Sequence, residues 1–260
     1  MKLNNNTILI TGGTSGFGFE FASKLLTLGN TIIITGRNQA RLDEVSKKLP
    51  GIHTFQSDVS DPEAIKQIYN EISKQFPALN VLINNAGEMR AISLNDASTG
   101  LQDLTREVEI NLMGPIRMIQ QFLPLLKQQQ AAAIMNVTSG IALMPFPVSP
   151  IYGATKSGLR SYTKSLRVQL KNSAVKVFEL VAPGSSTPLN DQFGDMDGFD
   201  PKMMMDPGKL IDEAIAGLRK DKLEIYPGLA RAIKVMSRLA PAILLKQAGK
   251  VGAKFMETGG

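Results

Sequence analysis

Short apolar runs alternate with longer stretches of helical period along most of this chain. The first run, "TILIT" at 7–11, is continuous and β-branched, the pattern of a strand buried on both faces. Phe17, Phe21, Leu25 and Leu28 follow at helical spacing and predict a helix near 17–28. "TIIIT" (31–35) predicts the second strand, and "ARLDEVSKKL" (40–49) a helix that Pro50 and Gly51 stop. "HTFQS" (53–57) reads as a strand. A helix over 62–75 is opened by Asp61 as N-cap and Pro62 at its first position. "NVLIN" (80–84) is the fourth strand. A long helix is expected near 102–127, with Val108, Leu112, Ile116, Ile119, Leu123 and Leu126 on one stripe. The pattern continues with a strand at 133–138, a helix at 151–171, a strand at 175–181, a helix at 207–219 and a last strand, "LEIY", at 223–226. Apolar strands separated by helices specify an α/β fold: a seven-stranded parallel sheet, doubly wound, with helices on both faces. No repeat, low-complexity tract or linker divides the chain, so one domain is expected over 1–228, with 229–260 as its extension.

Composition narrows the chemistry. Hydrophobic residues make up 43% of the 260, which is ordinary for a globular chain. With no cysteine, the sequence holds no thiol nucleophile and no cysteine-ligated metal. His53 is its one histidine, which argues against a zinc site or a histidine-based triad, and it reads as a structural residue near the surface. The opening "MKLNNNTILITGG" does not read as a signal peptide, and no apolar run reaches the roughly 20 residues that span a bilayer, so a cytoplasmic location is expected. The formal charge of +6 fits nucleic acid or an anionic membrane surface and equally an anionic cofactor. Its bases are scattered without interleaved aromatics, so nucleic acid is not expected as a partner.

Two stretches carry candidate chemistry. "TGGTSGFG" (11–18) joins the first strand to the first helix, with Gly12, Gly16 and Gly18 spaced G-x-x-x-G-x-G. Glycines at such a junction permit a tight turn and a close approach of backbone to a pyrophosphate at the helix N-terminus. "SPIYGATKSG" (149–158) sets Tyr152 and Lys156 four residues apart, on one helix face. That pair reads either as a half-exposed helix face or as a tyrosine whose pKa a neighbouring cation lowers for proton exchange.

These segments together resemble the short-chain dehydrogenase/reductase family over nearly the whole chain. The glycine loop is followed by "NNAG" (84–87) after the fourth strand, Asn111 in "EINLMG", Ser139 in "NVTSG", the Y-x-x-x-K pair Tyr152 and Lys156, and "PG" at Pro183 and Gly184. Within the family, "TGGTSGFGFEFASKLLTLGNTIIITGR" is similar to a bacterial DltE-like branch. The resemblance implies a Rossmann-type oxidoreductase that interconverts a carbonyl and an alcohol by hydride transfer with a nicotinamide cofactor. It implies Tyr152 as general acid/base and Lys156 favouring the phenolate and holding the nicotinamide ribose. Ser139 would polarise the carbonyl oxygen, and Asn111 would hold a water that continues the proton relay. It implies a cofactor cleft of Gly12, Thr14, Ser15, Gly16, Phe17, Gly18, Asp58, Val59, Asn85, Ala86, Gly87, Tyr152, Lys156, Pro183, Gly184 and Thr187, and a homodimer or homotetramer.

Specificity is read from "IIITGRN" (32–38). Gly36 stands where a carboxylate would hold a ribose 2′-OH, and Arg37 follows, so NADP(H) is expected rather than NAD(H), with Asn38 assisting. Residues 185–206, with Met203 to Met205, predict a lid or binding loop, and Leu143, Met144, Phe146 and Met89 predict walls for an apolar small-molecule substrate. The tail at 229–256 has Arg231, Lys234 and Arg238 at helical spacing and is broken by Pro241. It is expected either to touch a membrane periphery or cover the pocket, or to pack on its own domain or across a dimer. The rival functional reading is a catalytically silent NADP(H)-binding regulator or scaffold. A third reading is an isomerase or epimerase on this fold, but most such enzymes use an extended chain with a substrate domain, which this length does not offer. The intact Ser139, Tyr152 and Lys156 set favours turnover.

Overall fold

The computed structural model describes residues 1–96 and 100–258. Seven parallel strands form one sheet in the order β3-β2-β1-β4-β5-β6-β7. They are β1 (Thr7–Thr11), β2 (Thr31–Gly36), β3 (His53–Gln56), β4 (Leu79–Asn84), β5 (Ala132–Ser139), β6 (Val175–Ala182) and β7 (Glu224–Ile225). β7 is shorter than "LEIY" predicts, because only Glu179 and Leu180 of β6 pair with it. The strand order reverses between β1 and β4. That switch point opens a crevice at the carboxyl ends of the strands, where ligands bind in open α/β sheets.

Helices cover both faces. On one, α1 (Gly16–Leu26), α2 (Gln39–Lys48) and α8 (Pro207–Arg219) bury Phe21, Leu25, Leu42, Leu210 and Ile211 against alternate residues of the strands. On the other, α3 (Pro62–Gln75), α6 (Gly114–Lys127) and α7 (Pro150–Gln169) bury Ile65, Ile68, Ile72, Met118, Phe122 and Leu166. The start of α3 forms as its sequence predicts: the Asp61 side chain accepts from Glu63 N, with Pro62 at the first position.

The long helix expected near 102–127 is interrupted. It is built from two short turns, α4 (Leu101–Leu104) and α5 (Arg106–Val108), a π-helical turn (Glu109–Met113) and α6. The π turn rotates the face that reaches the core. Ile110, Asn111, Met118, Phe122 and Leu125 are buried, and of the predicted stripe Ile119 and Leu126 are buried while Val108, Leu112, Ile116 and Leu123 are only half-buried.

Beyond β7 the chain forms α9 (Ala230–Leu239), α10 (Pro241–Ala248) and α11 (Ala253–Thr258). Pro241 follows the end of one helix and occupies the first position of the next, where its missing N–H costs nothing. Among the described residues, no helix is long and apolar enough to cross a membrane, and no group of three or more His, Asp or Glu could hold a metal ion. His53 is exposed on edge strand β3, its ring 4.7 Å from that of Phe76.

Candidate active site

A cleft of about 610 Å³ runs along the carboxyl ends of the strands from the β1–α1 turn to the first turns of α7. Its size is that of a small-molecule site. Gly12 and Gly16 take left-handed backbone conformations, with φ of 66° and 51°. Gly18 is not left-handed, but a Cβ there would lie 2.2 Å from the Gly12 carbonyl oxygen and 2.6 Å from Asn85 Nδ2. Only glycine lets α1 approach the strand ends this closely. Ser15 is the N-cap of α1, its side chain makes no cap hydrogen bond, and the first turn holds no acid. The first N–H groups of a helix lack intrahelical acceptors, so this end of α1 suits an anion.

The floor of the cleft is tied together by Thr11 and Asn85. Thr11 Oγ1 accepts from Asn85 N and Ala86 N, both at 3.0 Å, while Asn85 Nδ2 donates to the carbonyls of Thr11 and Gly12. Further along, Asn111 fastens the loop that follows. Its Oδ1 accepts from Glu88 N at 2.8 Å, and its Nδ2 donates to the Glu88 carbonyl at 2.7 Å and to Thr155 Oγ1 at 3.3 Å. The family resemblance implies a water held by Asn111. Its side chain is held by these protein partners behind the cleft wall and positions the loop.

Ser139, Tyr152 and Lys156 converge at the closed end of the cleft, and all three are buried. Ser139 ends β5, and its Oγ also accepts from Ile141 N at 3.3 Å, capping a short 3-10 turn. Lys156 Nζ donates to the Val137 carbonyl at 3.0 Å and lies 5.6 Å from the centre of the Tyr152 ring. Burial pushes the Tyr152 phenol above its ordinary pKa, against the opposing pull of a hydrogen bond with Ser139; the carboxylate of Glu107 adds to the rise. Burial also pushes the Lys156 ammonium down to about 8. This reverses the direction expected from the i,i+4 pair. Desolvation is the largest effect on both groups, so in this structure the phenol holds its proton at neutral pH.

Glu107 belongs to an ion cluster with Glu88, Arg90, Asp103 and Arg106. It is fully buried, its Oε1 accepts from Arg90 N at 3.1 Å, and burial raises its carboxyl to about 6. Arg90 pairs with Asp103 at 2.8 Å, and Arg106 pairs with Glu88.

At the other end, Arg37 is 61% exposed, with its guanidinium 4.0 Å from Asp58. Asn38 lines the cleft, and its Oδ1 caps α2 by accepting from Arg41 N at 3.1 Å. That cap places Arg41 on the cleft beside Arg37. Ser57 also lines the cleft, and its buried hydroxyl has no hydrogen-bond partner. Neither Arg41 nor Ser57 is apparent from the sequence motifs.

The remaining residues expected at a cofactor, Thr14, Phe17, Val59, Ala86, Gly87, Pro183, Gly184 and Thr187, line the same cleft. Thr187 is buried, with its methyl 3.4 Å from where a Gly16 Cβ would stand. The glycine cradle, the acid-free helix start, the unpartnered Ser57 hydroxyl and the two guanidinium groups form a donor set that fits a dinucleotide phosphate ester.

The expected substrate walls separate. Met89 lines the cleft, whereas Leu143, Met144 and Phe146 line a neighbouring groove of about 420 Å³ that shares Ile141 with it. Residues 185–206 close on themselves through a bridge between Ser185 and Met205. None of Met203 to Met205 lines the cleft; instead the 3-10 turn Pro188–Phe193 supplies Leu189 and Asn190 to it. Gln192 holds the opposite wall by accepting from Ala91 N at 3.1 Å and donating to the Met89 carbonyl. The tail seals this end. Phe255 and Met256 pack with Phe193, Met196 and Phe199 beside Tyr152, and the Met256 carbonyl accepts from Asn95 Nδ2 at 2.7 Å.

A family model described as short chain dehydrogenase matches residues 6–198. An uncharacterized oxidoreductase, DltE, from Bacillus subtilis is 41% identical over 225 residues, covering 86% of this chain and 89% of that one. A short chain dehydrogenase from Burkholderia cenocepacia, solved in complex with NADP, superposes with a TM-score of 0.82 at 22% identity over 95% of this chain and 99% of that one. A relative from Burkholderia phymatum, solved with NAD, gives a TM-score of 0.81 at 20% identity over 95% of this chain and 96% of that one.

Proposed function

The chain belongs to the short-chain dehydrogenase/reductase family of oxidoreductases, and on that premise we propose that it reduces a carbonyl compound, or oxidises the matching alcohol, with NADP(H). The observation that carries this reading is the convergence of the Ser139 hydroxyl, the Tyr152 phenol and the Lys156 ammonium in one cleft with the glycine turn, the start of α1, Arg37 and Arg41. When bound, the nicotinamide supplies or accepts the hydride.

The protein's own groups handle position and protons. The first turn of α1 and the glycine backbone hold the pyrophosphate. Arg37 and Arg41 hold the 2′-phosphate, since a guanidinium fork matches phosphate oxygens and no carboxylate stands at the end of β2 to hold a 2′-OH. Ser139 donates to the carbonyl oxygen of the substrate. Tyr152 holds a proton on its hydroxyl because burial disfavours the phenolate, so it is set as the acid that carbonyl reduction needs. Lys156, fixed by the Val137 carbonyl, keeps N–H groups for the cofactor ribose and stabilises the phenolate left after proton transfer. Met89, Ile141 and Leu189 exclude water at the reacting end and favour an apolar substrate. The test is NADPH and NADH oxidation across a panel of aldehydes, ketones and ketoacyl thioesters. Turnover with NADPH supports the reading; tight NADPH binding without turnover of any carbonyl moves it to a silent cofactor-binding protein.

A further inference from the structure

The charge of this chain is unevenly placed. Residues 226–256 contain Arg231, Lys234, Arg238, Lys246, Lys250 and Lys254 and no Asp or Glu. Taking those six from the 29 Lys and Arg leaves 23 against the 23 Asp and Glu, so this tail carries the whole net charge of +6.

Its helices also have two apolar faces where a surface helix needs one. The inner face of α9 is accounted for. Ala230 is buried, Ile233 lies against Gly140, and Lys234 sits 4.1 Å from the centre of the Tyr226 ring. On the outer face Val235 is 54% exposed and Leu239, four residues on, is 77% exposed. In α10, Ile243 and Leu245 are 57% and 45% exposed. Arg231 is held by Glu213 and Lys234 by Glu224, but Arg238, Lys246 and Lys250 make no ion pair among the described residues.

We propose that α9 and α10 form a docking surface for an anionic lipid bilayer. Val235 and Leu239, one turn apart on α9, enter the acyl boundary, and Arg238, Lys246 and Lys250 meet the headgroups. Water-exposed aliphatics among unpaired bases, on helices that carry no acid of their own, are the pattern of an interfacial helix. A second copy of the chain is a poor occupant, because the same face would bring two tails of like charge together. An acidic protein would engage the bases, but this face offers none of the Trp or Tyr anchors that usually centre a protein interface.

Flotation of the full chain with vesicles tests this. Binding is expected to vesicles of phosphatidylcholine with phosphatidylglycerol, to weaken with salt, and to be absent with phosphatidylcholine alone. Arg238→Gln with Lys246→Gln lowers partitioning about 30-fold, and Val235→Gln with Leu239→Gln lowers it by at least about tenfold, with melting temperatures unchanged because all four side chains are on the surface. The chain has no tryptophan, so Leu239→Trp gives a single reporter whose emission shifts to the blue only on anionic vesicles. No flotation at low salt, or emission from that reporter that stays unshifted on anionic vesicles, overturns the proposal. Binding that ignores the Val235 and Leu239 pair and is matched on polyglutamate also overturns it, and assigns the face to an acidic protein partner.

Discussion

Lys156 donates from Nζ to the carbonyl oxygen of Val137 at 3.0 Å. The bond runs from the second turn of α7 to the strand that ends at Ser139, so it fixes the ammonium relative to both other groups of the candidate site. It also holds a cation where burial opposes it, with the pKa brought down to about 8.

That placement predicts a conflict between stability and function. Between pH 8 and the ordinary lysine value the unfolded chain binds the proton and the folded one does not, so stability rises with pH through that window. Below it the full penalty of about 3 kcal/mol is present. Lys156→Met is expected to raise the melting temperature of the cofactor-free protein at pH 7 and to flatten its rise between pH 8 and the ordinary lysine value of about 10.5, while abolishing turnover. Thermal melts across that range, with activity at pH 7, check it.

The phosphate end predicts a change in cofactor preference. Each charge-assisted contact to a 2′-phosphate is worth about 1.5–3 kcal/mol. Arg37→Ala and Arg41→Ala are each expected to weaken NADPH binding about tenfold or more and to leave NADH binding unchanged. Fluorescence titration with both nucleotides measures this.

A third expectation concerns the support beneath Ser139. Thr138 Oγ1 donates to Glu179 Oε1 at 2.7 Å, Arg160 donates from Nη1 to both Glu179 oxygens at 2.8 Å, and Arg160 Nη2 donates to the Tyr226 hydroxyl. Glu179 is fully buried. Arg160→Met leaves that carboxylate uncompensated and is expected to cost about 3–5 kcal/mol, whereas Arg160→Met with Glu179→Leu recovers most of the loss. Urea unfolding of the two variants distinguishes a paired buried charge from ordinary packing.

The strands and the glycine loop are legible in the sequence because each depends on local pattern: β1 and β2 are continuous apolar runs, and Gly12 and Gly16 mark left-handed turns. The stretch at 102–127 is not, because its π turn answers to the loop at Glu88 that Asn111 holds and not to its own periodicity. Arg41 is hidden in the polar face of α2, and only the Asn38 cap shows which way that face turns. The direction of the Tyr152 shift escapes the sequence for a related reason. Spacing reveals that Lys156 is near, but burial comes from Met89, Val148 and Phe193, which no short-range pattern connects to it. The substrate end likewise joins residues near 90, 190 and 255.

Tyr152 is proposed to transfer the proton in an NADPH-dependent reaction. Steady-state kinetics of Tyr152→Phe on the carbonyl substrate that the panel identifies, beside NADPH titration of the same variant, test it most directly. The account predicts unchanged NADPH affinity and a fall in kcat/KM of about 10²–10⁴. Turnover retained by the variant, with NADPH still bound, would contradict it.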